Sequence, residues 1–359
     1  MNTFYKICLL VCIVCALVVA VMLLMGYRAE VGLLTATLFI ALAIGIRGTP
    51  LKGLSFTVWI FAAVTTSMFY PRYFQQIGNF QLKVLIVPLM QIIMFGMGTT
   101  MSLKDFYGVI KMPKAVVVGL LCQFTIMPFV GLFLAKSLGF PPEVAAGVVL
   151  IGSSPCGLAS NVMNFIAGSN LALSITLTAV ATAIAPIMTP LLMKLLANQF
   201  IEIAFWAMVW TVFKIVIIPI VAGLLFNYLL HGRAKWLDRL MPLVSMAGIA
   251  YIITIITAAG RDNLLTMGFA IVIAAILHNT LGYLFGYWGG RLFKLDERSC
   301  RTIAIEVGLQ NGGLASGIAL EMGKVATTGL APAVFGPWMN ISGSALANWW
   351  RSRPVKDEA

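Results

Sequence analysis

Apolar residues along this chain do not mark one face of an amphipathic helix or the alternate positions of a strand. They come in runs of about 20 residues cut by short polar breaks. As a helix, such a run spans the roughly 30 Å hydrocarbon core of a bilayer. About twelve runs are read, over residues 6–25, 31–46, 54–70, 82–100, 115–135, 143–167, 170–195, 205–230, 241–260, 266–290, 302–322 and 328–350. The run at 31–46 is short for a straight crossing and is read as tilted, re-entrant or interfacial. The first run follows Lys6 much as in a signal peptide. It is long for one, and no small-residue cleavage site closes it, so a retained helix is expected. The pattern as a whole predicts an all-α polytopic membrane protein.

Composition agrees. The chain is 60% hydrophobic and 10% charged, where a soluble domain carries about 25% charged residues. A net charge of +12 raises nucleic acid as a partner, but no nucleic-acid module is present and the charge is distributed as in membrane loops. Taking the N-terminus, every second connection and the C-terminus as one side gathers sixteen Lys and Arg. The other side holds seven: Arg28, Arg72, Lys83, Lys136, Lys194, Arg261 and Lys324. Lys214 falls inside a run. The excess predicts an even number of crossings with both termini cytoplasmic. Cys8, Cys12 and Cys15 recur at helical spacing without His or acidic neighbours, so they read as packing residues rather than metal ligands.

The informative positions are those where polarity interrupts a run. Gly-Leu-Ala-Ser begins at Gly157 and again at Gly313, 156 residues apart, each time inside an apolar stretch. Gly152, Ser153, Ser154, Pro155 and Cys156 precede the first copy; Gly308, Gln310, Asn311 and Gly312 precede the second. Proline removes a backbone donor and clashes with the preceding turn, and each glycine weakens a helix by about 1 kcal/mol. Both stretches are predicted to be unwound points in membrane helices. Irregular backbone at that depth is tolerated where it lines a cavity. There, freed carbonyls ligate cations and half-helix N-termini attract anions. Two such helices at corresponding places in two repeats would meet at mid-membrane and share one site.

Glu306 is the acidic residue inside a run, in Ile303-Ala-Ile-Glu-Val-Gly-Leu309. An ionised carboxylate there is costly without a partner or water. It reads as part of an ion or substrate path, or as a protonated acid bonded between helices. Ser174 and Thr178 lie one turn apart on the following run. Either they bond back to their own helix, or they join Ser160, Asn161 and Glu306 in an oxygen cage. A hard cation such as sodium suits oxygen ligands.

Several stretches resemble the bile acid:sodium symporter family: Pro155-Cys-Gly-Leu-Ala-Ser-Asn-Val162, Ala172-Leu-Ser-Ile-Thr-Leu-Thr178, Ile305-Glu-Val-Gly-Leu-Gln-Asn311 and Asn340-Ile-Ser-Gly343. Met94-Phe-Gly-Met-Gly98 and Gln123-Phe-Thr-Ile-Met-Pro128 match as well, and the likeness covers roughly residues 54–350. The resemblance implies ten helices in two inverted five-helix repeats, located in the cell inner membrane. These would form a panel domain and a core domain with two crossing broken helices. The expected division is an extension of two apolar segments over 1–50, repeats over 51–200 and 201–350, and a cytoplasmic tail over 351–359. By resemblance, a first sodium site uses Ser160, Asn161, Ser174, Thr178 and Glu306. A second uses Gln123, Gln310, the Glu306 carboxylate and the carbonyls of Val307 and Leu309, so two sodium ions are expected. Asn311 and Asn340 are assigned by position to the substrate, with Leu158 shaping its pocket. The family often has Thr where Leu158 stands, Gly where Cys156 stands and, in some bile acid binders, His where Met339 stands. These departures remove polar contacts for a substrate headgroup.

The expected function is sodium-coupled import of an organic anion, bile acid-like or a small carboxylate such as pantoate. A proton-coupled or facilitative carrier of the same fold is the alternative. An intramembrane Ser/His hydrolase would have to draw on His231 or His278, and no nucleophile motif supports it.

Overall fold

The computed structural model describes residues 2–27, 31–230 and 235–355. Arg28, Arg233 and Lys356, which enter the charge count, and His231 lie outside the described residues. The chain is helical throughout the described residues apart from turns and a two-residue hairpin, Gln76–Ile77 with Phe80–Gln81. Among the described residues, seven helical stretches are long and apolar enough to cross a membrane. The protein is an all-α, multi-pass membrane protein.

Apart from the single turns Arg72–Gln75 and Gly108–Lys111, the α-helices in chain order are α1 (Thr3–Leu24), α2 (Gly32–Gly45), α3 (Ser55–Phe69), α4 (Ile86–Thr100) and α5 (Pro113–Ser137). Then come α6 (Pro142–Ser153), α7 (Ala159–Ala167), α8 (Leu171–Leu192) and α9 (Phe205–Leu230, with a π turn at Phe213–Ile217). The last are α10 (Lys235–Ala259), α11 (Arg261–Leu292), α12 (Glu297–Gly308), α13 (Gly312–Glu321) and α14 (Leu330–Arg351). Two apolar runs that read as single stretches, 143–167 and 302–322, are each two helices separated by a non-helical break. The stretch 241–290 has no polar loop: α10 passes into α11 through Gly260 alone.

Boundaries follow local chemistry. Pro113 and Pro142 open α5 and α6, where a missing N–H costs nothing. Asn170 caps α8 by accepting from Leu173 N at 3.1 Å, and Asp296 caps α12 by accepting from Ser299 N at 2.9 Å. Gly168 stops α7 in a left-handed conformation, with φ +63°.

Small residues let the helices close on one another. The start of α1 lies beside the end of α2, where a Cβ on Gly45 would stand 2.7 Å from a Leu9 methyl. The start of α2 lies beside the end of α3, where a Cβ on Gly32 would stand 2.6 Å from Phe69. The first two helices are thus an antiparallel hairpin attached to α3. Further on, α11 turns Gly282, Gly286 and Gly290 toward α12 and its surroundings. A Cβ on Gly286 would come within 3.0 Å of the Ile303 carbonyl and Ala304 Cα. This close approach, at i, i+4 and i+8, holds α12 in place.

That packing is testable by substitution within one helix. Gly286→Val is expected to lower the melting temperature in detergent by several degrees, since overpacking costs about 1–3 kcal/mol. Gly268→Val, where a Cβ would meet only its own helix at 3.9 Å, is expected to leave it nearly unchanged.

Candidate functional site at the crossing of two interrupted helices

The break between α6 and α7 meets the break between α12 and α13. Gly157 N donates to Leu309 O at 2.9 Å, and Asn311 N donates to Pro155 O at 2.8 Å. Cys156 and Gln310 thereby form an isolated antiparallel bridge. Two amides and two carbonyls freed by the breaks thus pair with one another across the crossing, and side chains serve others: Gln123 at Ser154 O, Gln310 at Val307 O and Asn279 at Gly308 O. The outer ends are clasped too. Thr328 Oγ1 donates to Glu143 O at 2.9 Å, and Lys324 pairs with the Glu143 carboxylate. Asn170 N donates to Thr302 Oγ1 at 2.9 Å.

Beside the crossing, Glu306 is 2% exposed and faces α8 and α7. Ser174 Oγ lies 2.5 Å from Glu306 Oε1 and 2.7 Å from Asn161 Oδ1. Thr178 Oγ1 lies 3.0 Å from Glu306 Oε2 and 3.3 Å from Asn161 Oδ1. Ser160 Oγ lies 3.5 Å from Thr178 Oγ1 while donating to Gly157 O at 2.8 Å. The five residues assigned to a first ion site therefore converge. Their chemistry is uneven. Two hydroxyls, with one hydrogen each, face four acceptor contacts, and the acid's side-chain donors are neutral. Oxygen lone pairs outnumber hydrogens, a donor set that a hard monovalent cation would complete.

Asn164 also belongs here, beyond the residues expected from the sequence. It is fully buried, and its Nδ2 donates to Glu306 Oε1 at 3.1 Å and to Ser174 Oγ at 2.9 Å. Ser169 Oγ fixes its orientation by donating to Asn164 Oδ1 at 2.6 Å. Its spacing was a usable signal: it stands one turn after Ser160 and Asn161, on the face they present.

The second group is partly assembled. Gln123 Nε2 donates to Gln310 Oε1 at 2.6 Å and to Ser154 O at 2.9 Å, and Gln310 Nε2 donates to Val307 O at 2.6 Å. Gln123, Gln310 and Val307 are thus brought together. The Glu306 carboxylate is not joined to them, because its side chain turns toward Ser174, Thr178 and Asn164. The Leu309 carbonyl serves the backbone bridge instead. Asn279, buried in α11, completes the break by donating to Gly308 O at 2.8 Å.

Leu158, Asn311 and Asn340 line one cavity of about 130 Å³. Met90, Met94, Ile252, Ile253 and Met339 supply much of its apolar wall. Asn311 spends its carbonyl oxygen capping α13, accepting from Leu314 N at 3.0 Å. The Asn340 side chain has no hydrogen-bond partner among the described residues. Met339 Sδ accepts from Gln310 N at 3.2 Å, so this residue serves the break itself.

Comparison with known proteins decides the family. The model of the sodium bile acid symporter family matches residues 87–267. The chain is 38% identical over 308 residues to the "uncharacterized sodium-dependent transporter YocS" of Bacillus subtilis, covering 86% of this chain and 94% of that one. This chain belongs to the sodium bile acid symporter family. Within the family it is also 34% identical over 302 residues to the "probable sodium/metabolite cotransporter BASS1, chloroplastic" of Arabidopsis thaliana, covering 84% and 74% of the two chains. Identity to the human ileal sodium/bile acid cotransporter is 29% over 254 residues, covering 68% and 71%. Symporter family membership makes the chain a membrane transporter rather than an enzyme. His278, the residue considered for hydrolysis, instead lies 3.2 Å from Met127 O through Nε2 and stacks edge-on against Phe335.

The amide of Asn164 is expected to stabilise the buried acid. Asn164→Leu should lower the melting temperature in detergent, because it removes one of the two donors to Glu306 Oε1 and the acceptor of Ser169, and each lost buried hydrogen bond costs about 0.5–1.5 kcal/mol. An unchanged melting temperature would show that the amide contributes nothing to the cluster.

Proposed function

We propose that this transporter couples sodium entry to import of an organic monoanion, bile acid-like or a small carboxylate such as pantoate. Ser160, Asn161, Ser174, Thr178 and Glu306 hold the first sodium ion, with Asn164 orienting the carboxylate. Gln123, Gln310, Glu306 and the carbonyls of Val307 and Leu309 hold the second. For the second site, the Glu306 carboxylate shifts toward the amide pair and Gln310 releases the Val307 carbonyl. Asn311 and Asn340 contact the substrate, and Leu158 shapes its pocket.

The observation that carries this reading is the charge inventory of the crossing. The cavity wall holds no Lys, Arg or His, yet the cavity borders the first turns of α7 and α13 through Leu158, Ala159, Gly312 and Gly313. Helix N-termini carry about half a positive charge each and favour anions. One carboxylate and two sodium ions leave the site one positive charge in excess. A monoanion then brings the loaded site to neutrality, the state least costly to move through a low-dielectric interior. The sodium oxygens and the cavity wall belong to the same two breaks, so ion binding orders the backbone that receives the substrate. Two sodium ions with one monoanion carry one positive charge inward, and transport follows the membrane potential.

The same reading divides residues 51–350 into two inverted five-helix repeats, 51–200 and 201–350. Residues 1–50 are an extension with two apolar segments and 351–359 a cytoplasmic tail. It places both termini in the cytoplasm and the protein in the cell inner membrane.

Sodium chloride, compared with choline chloride, is expected to raise the melting temperature in detergent, and an accepted anion from a panel of bile salts, pantoate and other small carboxylates should raise it further. Glu306→Gln should abolish the sodium response while the protein remains in the membrane. Uptake into proteoliposomes driven by a pH gradient, with no requirement for sodium, would identify a proton-coupled carrier instead.

A further inference from the structure

Two buried hydroxyls stand outside the arrangement described above. Among the described residues, Thr182 Oγ1 and Ser153 Oγ have no hydrogen-bond partner. Thr182 is nevertheless 1% exposed and Ser153 fully buried. A buried polar atom without a partner is costly and calls for a ligand or an ordered water.

Their placement follows from α8. Ser174, Thr178, Thr182 and Thr189 fall on one strip of this helix, because steps of four and seven residues return to nearly the same side. Thr178 Oγ1 is 3.0 Å from Glu306 Oε2 and 3.8 Å from Cys156 Sγ. Thr189 Oγ1 donates to the Ser153 carbonyl at 2.8 Å. The segment from Ser153 to Cys156 therefore runs beside this strip, from the level of Thr189 to that of Thr178. Thr182 lies between those levels. It offers a further oxygen, since Pro186 lacks the N–H that would bond the Thr182 carbonyl in an unbroken helix. Thr176, by contrast, bonds back to Ala172 O at 2.9 Å in the ordinary helical way.

We propose that Thr182 and Ser153 form a third oxygen site, a neutral stepping position for sodium entering or leaving the Glu306 cluster. This inference rests on the sodium-coupled reading above. Hydroxyl and carbonyl oxygens replace part of the hydration shell of a hard cation. With no charge of their own they hold it weakly, and the carboxylate that Thr178, one turn before Thr182, contacts draws it on. A site of this kind sets the rate of ion entry and exit and leaves the equilibrium affinity of the final site alone.

Sodium concentration jumps on proteoliposomes adsorbed to a solid-supported membrane, without organic substrate, read the charge displaced as the ion binds. Thr182→Val keeps the side-chain shape and removes the hydroxyl, and Thr182→Ser restores it. The relaxation rate is expected to fall roughly tenfold in Thr182→Val and further when Ser153→Ala is added, and to recover in Thr182→Ser. The sodium concentration giving half-maximal thermal stabilisation should move less than about twofold in all three. An unchanged rate in the double variant, or a half-saturation shifted as far as the rate, overturns the stepping site while leaving sodium coupling intact. Absence of any sodium-dependent current and stabilisation in the parent protein overturns both.

Discussion

Everything at the site depends on two broken backbones satisfying one another. A helix interrupted within hydrocarbon leaves amides and carbonyls that water cannot reach, at a cost of several kcal/mol per group. Here Gly157 bonds to Leu309 and Asn311 to Pro155, so each interruption is the other's partner. Neither break is affordable alone. The mutual bridge fixes where the half-helices begin, and so where Glu306, Ser160 and Asn161 stand relative to α8. The glycines of α11 that press on α12, and the clasps at Glu143 and Thr302, hold the crossing from outside.

The crossing also shapes the electrostatics. In the proposed reading, the acid buried among neutral donors, in a cluster with more oxygen lone pairs than hydrogens, receives a cation. The adjoining cavity has helix ends but no basic side chain in its wall. In the proposed cycle an anion enters that cavity favourably once cations have reversed the sign of the local charge. Coupling then needs no long-range signal, because ion ligands and cavity wall lie within a few residues on the same two segments.

Much of this was legible in the sequence because the breaks are written in Pro155, in the glycines and in the isolated acid Glu306. Runs of apolar residues gave the helices, and hydroxyls at helical spacing gave Ser174 and Thr178. Asn164 escaped because a single amide in an apolar stretch resembles an ordinary helix–helix contact, and only the fold brings it to the acid. The pairing of Gln123 with Gln310 depends on residues 187 apart in sequence, which no local pattern encodes. The departure at Met339 read as the loss of a polar contact, whereas its sulfur accepts the Gln310 amide. Arg261, Asp262 and Asn263 look like a polar connection between two runs, yet they form the first turn of α11.

The most direct test of the account is a high-resolution experimental structure determined in sodium and again in choline. The account predicts, in sodium, a density peak ligated by Glu306, Asn161, Ser174 and Thr178, and in choline direct hydrogen bonds among the same groups. Identical side-chain positions in both salts, with no peak between these oxygens, would contradict it.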